Sequence, residues 1–138
     1  PLQTNKVKVA LNLFDTIQTL DREKLVDEIV KEKKKNKTIT NNFYIQINIG
    51  KEKQKNGIDE SQIEKFYEYC LSSKLNIVGF MCIPPNDENT HSYFSRMILL
   101  RDKIKPSLKL SMGMSNDYLI ALKFKTNLIR IGSKIFKK

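Results

Sequence analysis

A regular alternation between strand-like and helix-like segments is the feature of this sequence that most constrains its fold. In the clearest strand, 43–50 (FYIQINIG), apolar residues occupy every second position, which is the period of a half-buried strand. The same pattern analysis predicts strands at 14–20, 43–50, 76–83 and 108–114, a strand that turns into a short final helix within 127–136, and helices at 5–13, 22–37, 90–105, 116–124 and after residue 59. Strands that alternate with helices over short connections imply a parallel sheet covered by helices.

Three polar residues are predicted to cap helices. Asp21 precedes the helix at 22–37, and Thr90 stands at the start of the helix that ends before Pro106. Asp59 is followed three residues later by Gln62, which is the spacing of a capping box. We therefore expect each of these side chains to hold the first turn of its helix.

Two α/β architectures fit this order of elements. A five-stranded doubly wound sheet would be complete within 138 residues, whereas a (β/α)8 TIM barrel typically needs ~250. Both faces of a doubly wound sheet pack on helices and are apolar, while the inner face of a barrel can become polar near its functional end. Gln46, Asn48 and Arg130 lie between apolar neighbours within predicted strands. We therefore predict a partial (β/α)8 barrel with a polar interior.

The net charge of +10 raises the question of a nucleic-acid interface. Only four of the 25 basic residues are arginine, and the lysines are spread over predicted helix faces and loops. The sequence also lacks an aromatic motif interleaved with basic residues such as those that stack on RNA bases. The charge therefore favours a solvated basic surface over a nucleic-acid site.

The sequence gives no evidence for a membrane partner or a metal site. No apolar run approaches the ~20 residues of a membrane-spanning helix, and the first residues lack the apolar region of a signal peptide. Cys70 and Cys82 have no metal-ligand spacing and are typical of small buried side chains in a reducing compartment. We expect a cytoplasmic protein without a metal or a membrane partner.

Two turns combine glycine and serine where a strand ends and a helix begins. Gly113 and Ser115 belong to SMGMS, a segment that a close-packed glycine and a helix cap would explain by themselves. Gly132 and Ser133 repeat the arrangement after the last strand. The loops after the last two strands of a barrel are neighbours and commonly form a phosphate site. Arg130, two residues before Gly132, is expected to point toward the barrel axis, where a buried guanidinium needs an acceptor.

Five motifs together resemble a known family. LQTNKVK (2–8), INIGKEKQKNGI (47–58), GFMCIPP (79–85), LSMGMSND (110–117) and LIRIGSKIF (128–136) occur in this order in the YggS-type proteins of pyridoxal 5'-phosphate (PLP) homeostasis. These proteins are similar to the N-terminal barrel domain of alanine racemase. The resemblance implies that 1–138 is the C-terminal part of a single PLP-binding barrel domain, about strands 4 to 8.

The resemblance also implies roles for individual residues. Ser115, with the turn formed by Gly132 and Ser133, is expected to clamp the cofactor phosphate, and Arg130 is expected to face the pyridine nitrogen. An arginine at that position would leave the ring nitrogen unprotonated and the cofactor a weak electron sink. The implied cofactor-binding set is Ser111, Gly113, Met114, Ser115, Arg130, Gly132 and Ser133.

The sequence departs from the family in several places. The family's Schiff-base lysine lies on an upstream strand in an AVSK-like motif, which this chain does not contain, so we expect an N-terminally truncated barrel without the covalent half of the site. Asn116 and Leu119 replace acidic residues that are usual after SMGMS, and Lys125 replaces a usual glycine before the last strand. These three changes affect the geometry of the clamp rather than its presence.

The function that the resemblance implies is PLP homeostasis. Such a protein holds PLP and passes it to PLP-dependent apo-enzymes, without an assigned reaction and without catalytic residues of its own. The alternative from another class is a PLP-dependent amino-acid racemase, although those enzymes carry a second, β-rich domain. A basic RNA-associated domain is a third interpretation, supported by charge alone.

Overall fold

The centre of the fold is a five-stranded sheet in which every pairing is parallel and the strands stand in the order of the sequence. The structure is a computed structural model and describes residues 1–136. The strands are β1 (Thr16–Leu20), β2 (Asn42–Ile47), β3 (Ile77–Cys82), β4 (Lys109–Met114) and β5 (Leu128–Arg130). All five lie where the sequence predicts them.

Helices connect consecutive strands, as the alternating pattern predicts. Short 3₁₀ turns at Thr4–Lys6 and Glu60–Gln62 lead directly into the first and third helices. The helices are α1 (Val7–Leu13), α2 (Glu23–Lys35), α3 (Ile63–Ser72), α4 (Thr90–Ile104), α5 (Tyr118–Lys123) and α6 (Ser133–Phe136). No helix within residues 1–136 is both long and apolar enough to cross a lipid bilayer.

The strand order decides between the two predicted architectures. A doubly wound sheet reverses its direction at a switch point, whereas here each crossover steps the same way, from β1 to β5. Because such crossovers are right-handed, repeated steps in one direction place the connecting helices on one face of the sheet. The opposite face is left to line an interior, as in a (β/α)8 barrel.

A hydrogen bond across the inner face shows that the sheet is curled. The Ser111 hydroxyl on β4 donates to the Gln18 carbonyl oxygen on β1, with 2.6 Å between the oxygens. In a flat sheet β1 and β4 would stand about 14 Å apart, which a glutamine and a serine side chain together do not span. The prediction of a partial (β/α)8 barrel is therefore confirmed.

The hydrophobic core lies between the outer face of the sheet and the helices. On β2, Phe43, Ile45 and Ile47 belong to this core, while Tyr44 and Gln46 are buried on the other face. The predicted alternation along 43–50 is thus confirmed, although the strand ends at Ile47. The ending has a local cause, because the Asn48 side chain exchanges hydrogen bonds with the backbone N–H and carbonyl of Glu52 and closes a turn.

One of the three predicted caps is confirmed and two are wrong. Asp59 accepts hydrogen bonds from the backbone N–H and the hydroxyl of Ser61, and these bonds lower the pKa of its carboxyl group. Asp21 instead binds the guanidinium of Arg22, 2.5 Å away, and α2 begins without a side-chain cap. Thr90 lies inside α4, and its hydroxyl donates to the carbonyl of Asp87. In both cases the side chain forms its hydrogen bond with a nearby group instead of with the N–H groups of the first helical turn.

Glycine at position 79 is required by the tight packing of the inner face. A Cβ atom there would lie 2.5 Å from Cε1 of Tyr44 and would also collide with the Lys109 carbonyl oxygen. We therefore expect Gly79→Ala to lower the free energy of unfolding by about 1–3 kcal/mol, measured by urea denaturation. Gly132→Ala is the matched control, since a Cβ at position 132 meets no atom within 4 Å. Equal stability of the two variants would contradict this account.

Candidate functional site

A chain of hydrogen bonds joins four strands across the inner face of the sheet. Arg130 on β5 donates from Nη1 to the Ser111 hydroxyl at 2.6 Å and from Nη2 to the Cys82 carbonyl oxygen at 2.8 Å. Ser111 in turn donates its proton to Gln18. The side chains of β1, β4 and β5 and the backbone at the end of β3 therefore meet at one place.

The guanidinium of Arg130 belongs to this network, and it has more N–H groups than the two hydrogen bonds use. Burial lowers the pKa of Arg130, the nearby Cys82 and Asp117 partly offsetting this, but an arginine remains charged at neutral pH. A guanidinium has five N–H donors, and the hydrogen bonds to Ser111 and Cys82 use two of them. A further acceptor that entered the concave face would therefore find a positively charged donor held in place.

The two glycine–serine turns are in direct contact. The Ser115 hydroxyl accepts hydrogen bonds from the backbone N–H groups of Gly132 and Lys134, each at 3.4 Å. These bonds are longer than the usual 2.7–3.2 Å, so a stronger acceptor could take over the same N–H groups. A Cβ at Gly132 would meet no atom within 4 Å, which shows open space at this corner. We call Ser115, Gly132, Ser133 and Lys134 the serine–glycine corner.

A cation is anchored beside the corner. The Lys134 ammonium lies 4.7 Å from the centre of the Tyr118 ring, within the range of a cation–π contact. Tyr118 is the first residue of α5, and the backbone of Lys134 is part of the corner itself. The corner thus combines backbone N–H donors, a hydroxyl and a positive charge.

Gly113 and Met114 are explained in the first place by the packing of α5. Gly113 has φ of +100°, and a Cβ there would lie 2.6 Å from Cβ of Ala121. The missing side chain therefore lets α5 pack on β4. Met114 is 40% exposed, and its N–H donates to the Asp117 carboxylate at 2.6 Å. Contact of these two residues with a ligand stays a prediction.

The start of α5 differs from the prediction. The sequence places a helix at 116–124 with Ser115 at its entrance, whereas α5 begins at Tyr118. Asp117 closes a turn by accepting the Met114 N–H, so Ser115 does not cap α5 and instead faces Gly132. Lys125, which stands where a glycine was expected, adopts φ of +53°, a left-handed conformation that glycine adopts without strain.

Two groups of the site, the Gln18 side chain and the Cys82 carbonyl oxygen, were not predicted from the sequence. Gln18 lies between Ile17 and Thr19 in a predicted strand, so it lacks the two apolar neighbours that singled out Gln46. The Cys82 carbonyl oxygen carries no signal in the sequence, because every residue has such a group. Within residues 1–136, no group of three or more histidine, cysteine, aspartate or glutamate side chains is arranged to hold a metal ion.

Proteins of known name resemble this chain in sequence. The chain is 36% identical over 144 residues to the pyridoxal phosphate homeostasis protein of Aquifex aeolicus, covering 98% of this chain and 63% of that relative. It is 35% identical over 152 residues to the protein of the same name from Haemophilus influenzae, covering 99% of this chain and 61% of that relative. The chain thus spans about three fifths of the length of these relatives. No family model matches it.

The fold recurs in a solved structure. PipY of Synechococcus elongatus, solved with PLP bound, superimposes with a TM-score of 0.78 at 23% identity, covering 99% of this chain and 67% of PipY. At this identity the likeness concerns the fold. It extends over the whole sheet and its helices.

The buried thiol of Cys82, a residue whose backbone carbonyl accepts a hydrogen bond from Arg130, gives a pH-dependent prediction. Burial raises the pKa of Cys82 to about 12 from the ordinary value of 9.0, although the charge of Arg130 opposes the shift. The unfolded thiol ionises near pH 9 and the folded one does not, so the stability that Cys82 contributes is present below pH 9 and is lost between pH 9 and about 12. The loss is at most about 1.4 kcal/mol per pH unit. Urea unfolding of the wild type and Cys82→Ala across this range should show a shallower decline for the variant.

Labelling with iodoacetamide at pH 9 checks the same shift directly. Burial also raises the pKa of Cys70 to about 12, so both thiols should stay unlabelled in the native chain and react in urea. Rapid labelling of Cys82 in the native chain would contradict the assignment.

Proposed function

The chain belongs to the family of the pyridoxal phosphate homeostasis proteins, and on this premise we propose that it binds PLP between Arg130 and the serine–glycine corner. The observation that carries the proposal is that both groups lie at the carboxyl end of the same two strands. Arg130 ends β5, and Ser115 follows β4 and contacts Gly132. The carboxyl ends of parallel strands are where barrels of this kind bind ligands.

The corner fits the phosphate group. A phosphate oxygen offers a charged acceptor to the N–H groups of Gly132 and Lys134, and charge-assisted hydrogen bonds are stronger than the two long bonds that now end on the Ser115 hydroxyl. The hydroxyl, once released as an acceptor, can donate its own proton to the same phosphate. The open space at Gly132 leaves room for the group, and the Lys134 ammonium adds an attractive charge.

Arg130 fits the pyridine nitrogen. Its guanidinium donates hydrogen bonds and accepts none, so it can bind the ring nitrogen only in the unprotonated form. PLP supplies an electron-withdrawing ring when bound, and an unprotonated ring nitrogen makes that ring a weak electron sink. An arginine at this position therefore favours a protein that binds PLP over one that uses the PLP ring as an electron sink.

The groups around Arg130 support a carrier rather than a racemase. Within residues 1–136, the ionisable groups that act on the charge of Arg130 are Cys82 and Asp117. The Cys82 thiol, with its pKa raised to about 12, is a poor proton acceptor at neutral pH. The Asp117 carboxylate is engaged by the Met114 N–H. We therefore propose reversible PLP binding, with release to apo-enzymes that use the cofactor.

Replacement of Ser115 tests the phosphate assignment. We expect Ser115→Ala to weaken PLP binding about tenfold, because the variant loses one hydrogen bond to a charged group. Binding of pyridoxal, which lacks the phosphate, should not change. Equilibrium dialysis with absorbance detection measures both dissociation constants.

Ser95→Ala is the matched control, because Ser95 is an exposed serine within α4, outside the proposed site. Its dissociation constant for PLP should equal that of the wild type. Wild-type protein that retains no PLP, or a Ser115→Ala variant that binds PLP as tightly as the wild type, would refute the proposal.

A further inference from the structure

We propose that Gln18 is a positioning residue of the cofactor site, which orients the Arg130 guanidinium through Ser111. The inference rests on the proposed function, since it concerns how the ring of PLP is recognised. Within residues 1–136, Gln18 makes no side-chain hydrogen bond to the serine–glycine corner or to Arg130; it accepts from the Ser111 hydroxyl, 2.6 Å away. It lies 93 positions before Ser111 in the chain and on the edge strand β1, three places from β4 in the sheet.

The direction of each hydrogen bond is fixed by the chemistry of the three groups. Arg130 has no acceptor, so Ser111 can only accept from it. The single hydroxyl proton of Ser111 must then go to another group, and the Gln18 carbonyl oxygen takes it. Because Ser111 is fully buried, no solvent molecule at the protein surface can replace that acceptor. Gln18 thereby keeps the lone pairs of Ser111 directed at Arg130.

The guanidinium is held at two points. One terminal nitrogen donates to Ser111 and the other donates to the Cys82 carbonyl oxygen. Since the group is planar and rigid, two anchors on different nitrogens fix the plane in which its remaining donors lie. With one anchor the plane can turn about the remaining hydrogen bond, so the donors no longer point at one fixed acceptor.

Loss of the Gln18 acceptor is therefore expected to affect the two halves of the site unequally. The Ser111 hydroxyl would have to turn its proton toward another acceptor, which weakens the anchor at Nη1. The serine–glycine corner uses other atoms, namely the Ser115 hydroxyl and two backbone N–H groups. Recognition of the ring should fall while recognition of a phosphate group persists.

The experiment compares two ligands on the full chain. PLP reports on the ring and the phosphate together, and benzyl phosphate, which has an aromatic ring without a nitrogen, reports on the corner. Gln18→Met keeps the length of the side chain and removes the acceptor, so its dissociation constant for PLP should rise about tenfold while that for benzyl phosphate stays unchanged. Gln18→Glu keeps an acceptor oxygen and should bind PLP within about twofold of the wild type.

Further variants separate positioning from general destabilisation. Ser111→Ala should weaken PLP binding as Gln18→Met does, and the double variant should add little, because both changes remove the same anchor. Gln18→Asn retains the amide but is one methylene too short to reach Ser111, and the same selective loss is expected. This variant decides the question if urea unfolding shows that Gln18→Met is not folded.

The outcomes are distinct. Equal loss of PLP and benzyl phosphate, or unchanged PLP binding in Gln18→Met and Gln18→Asn, would overturn the positioning role. Wild-type protein that binds neither ligand would refute the proposed function instead. Selective loss of PLP with rescue by Gln18→Glu is the result that supports the inference.

Discussion

A partly buried guanidinium is the constraint around which the inner face of the sheet is arranged. Arg130 carries a charge that burial disfavours, so its N–H groups need acceptors inside the protein. Ser111 and the Cys82 carbonyl oxygen provide them, and Ser111 requires Gln18 for its own proton. The hydrogen bonds that satisfy this one charged group therefore connect β1, β3, β4 and β5. That network can close only because the sheet is curled.

The outer face of the sheet contributes mainly to stability, and the inner face carries the candidate site. The outer face packs large apolar residues such as Phe43 and Phe80 against the helices and supplies the hydrophobic stabilisation. The inner face carries polar groups whose positions are set by hydrogen bonds rather than by close packing alone. At the carboxyl end of β4 the backbone takes an unusual conformation at Gly113, where the missing side chain admits α5. Gly113 lies two residues before Ser115, so this conformation occurs next to the serine–glycine corner.

The residues that sequence patterns predicted well are those governed by local chemistry. The alternation in 43–50 and the Asp59 cap were correct because their partners lie within a few residues. Local partners do not guarantee success, because the Asp21 and Thr90 caps failed when Arg22 and the Asp87 carbonyl, also close in sequence, competed for the same side chains. The two glycine–serine turns were expected to be neighbours, and the contact between Ser115 and Gly132 supports that expectation. Gln18 was missed because its partner is 93 positions away.

By itself the sequence determined the order of strands and helices, the apolar outer face and the positions of the two turns, since each depends on spacing along the chain. The five ordered motifs determined the family. Only the tertiary structure decided which way the sheet curls, which acceptors hold Arg130 and where Ser115 directs its hydroxyl. Those features depend on contacts between strands that are not neighbours, and a contact of that kind leaves no periodic trace in the residues that make it.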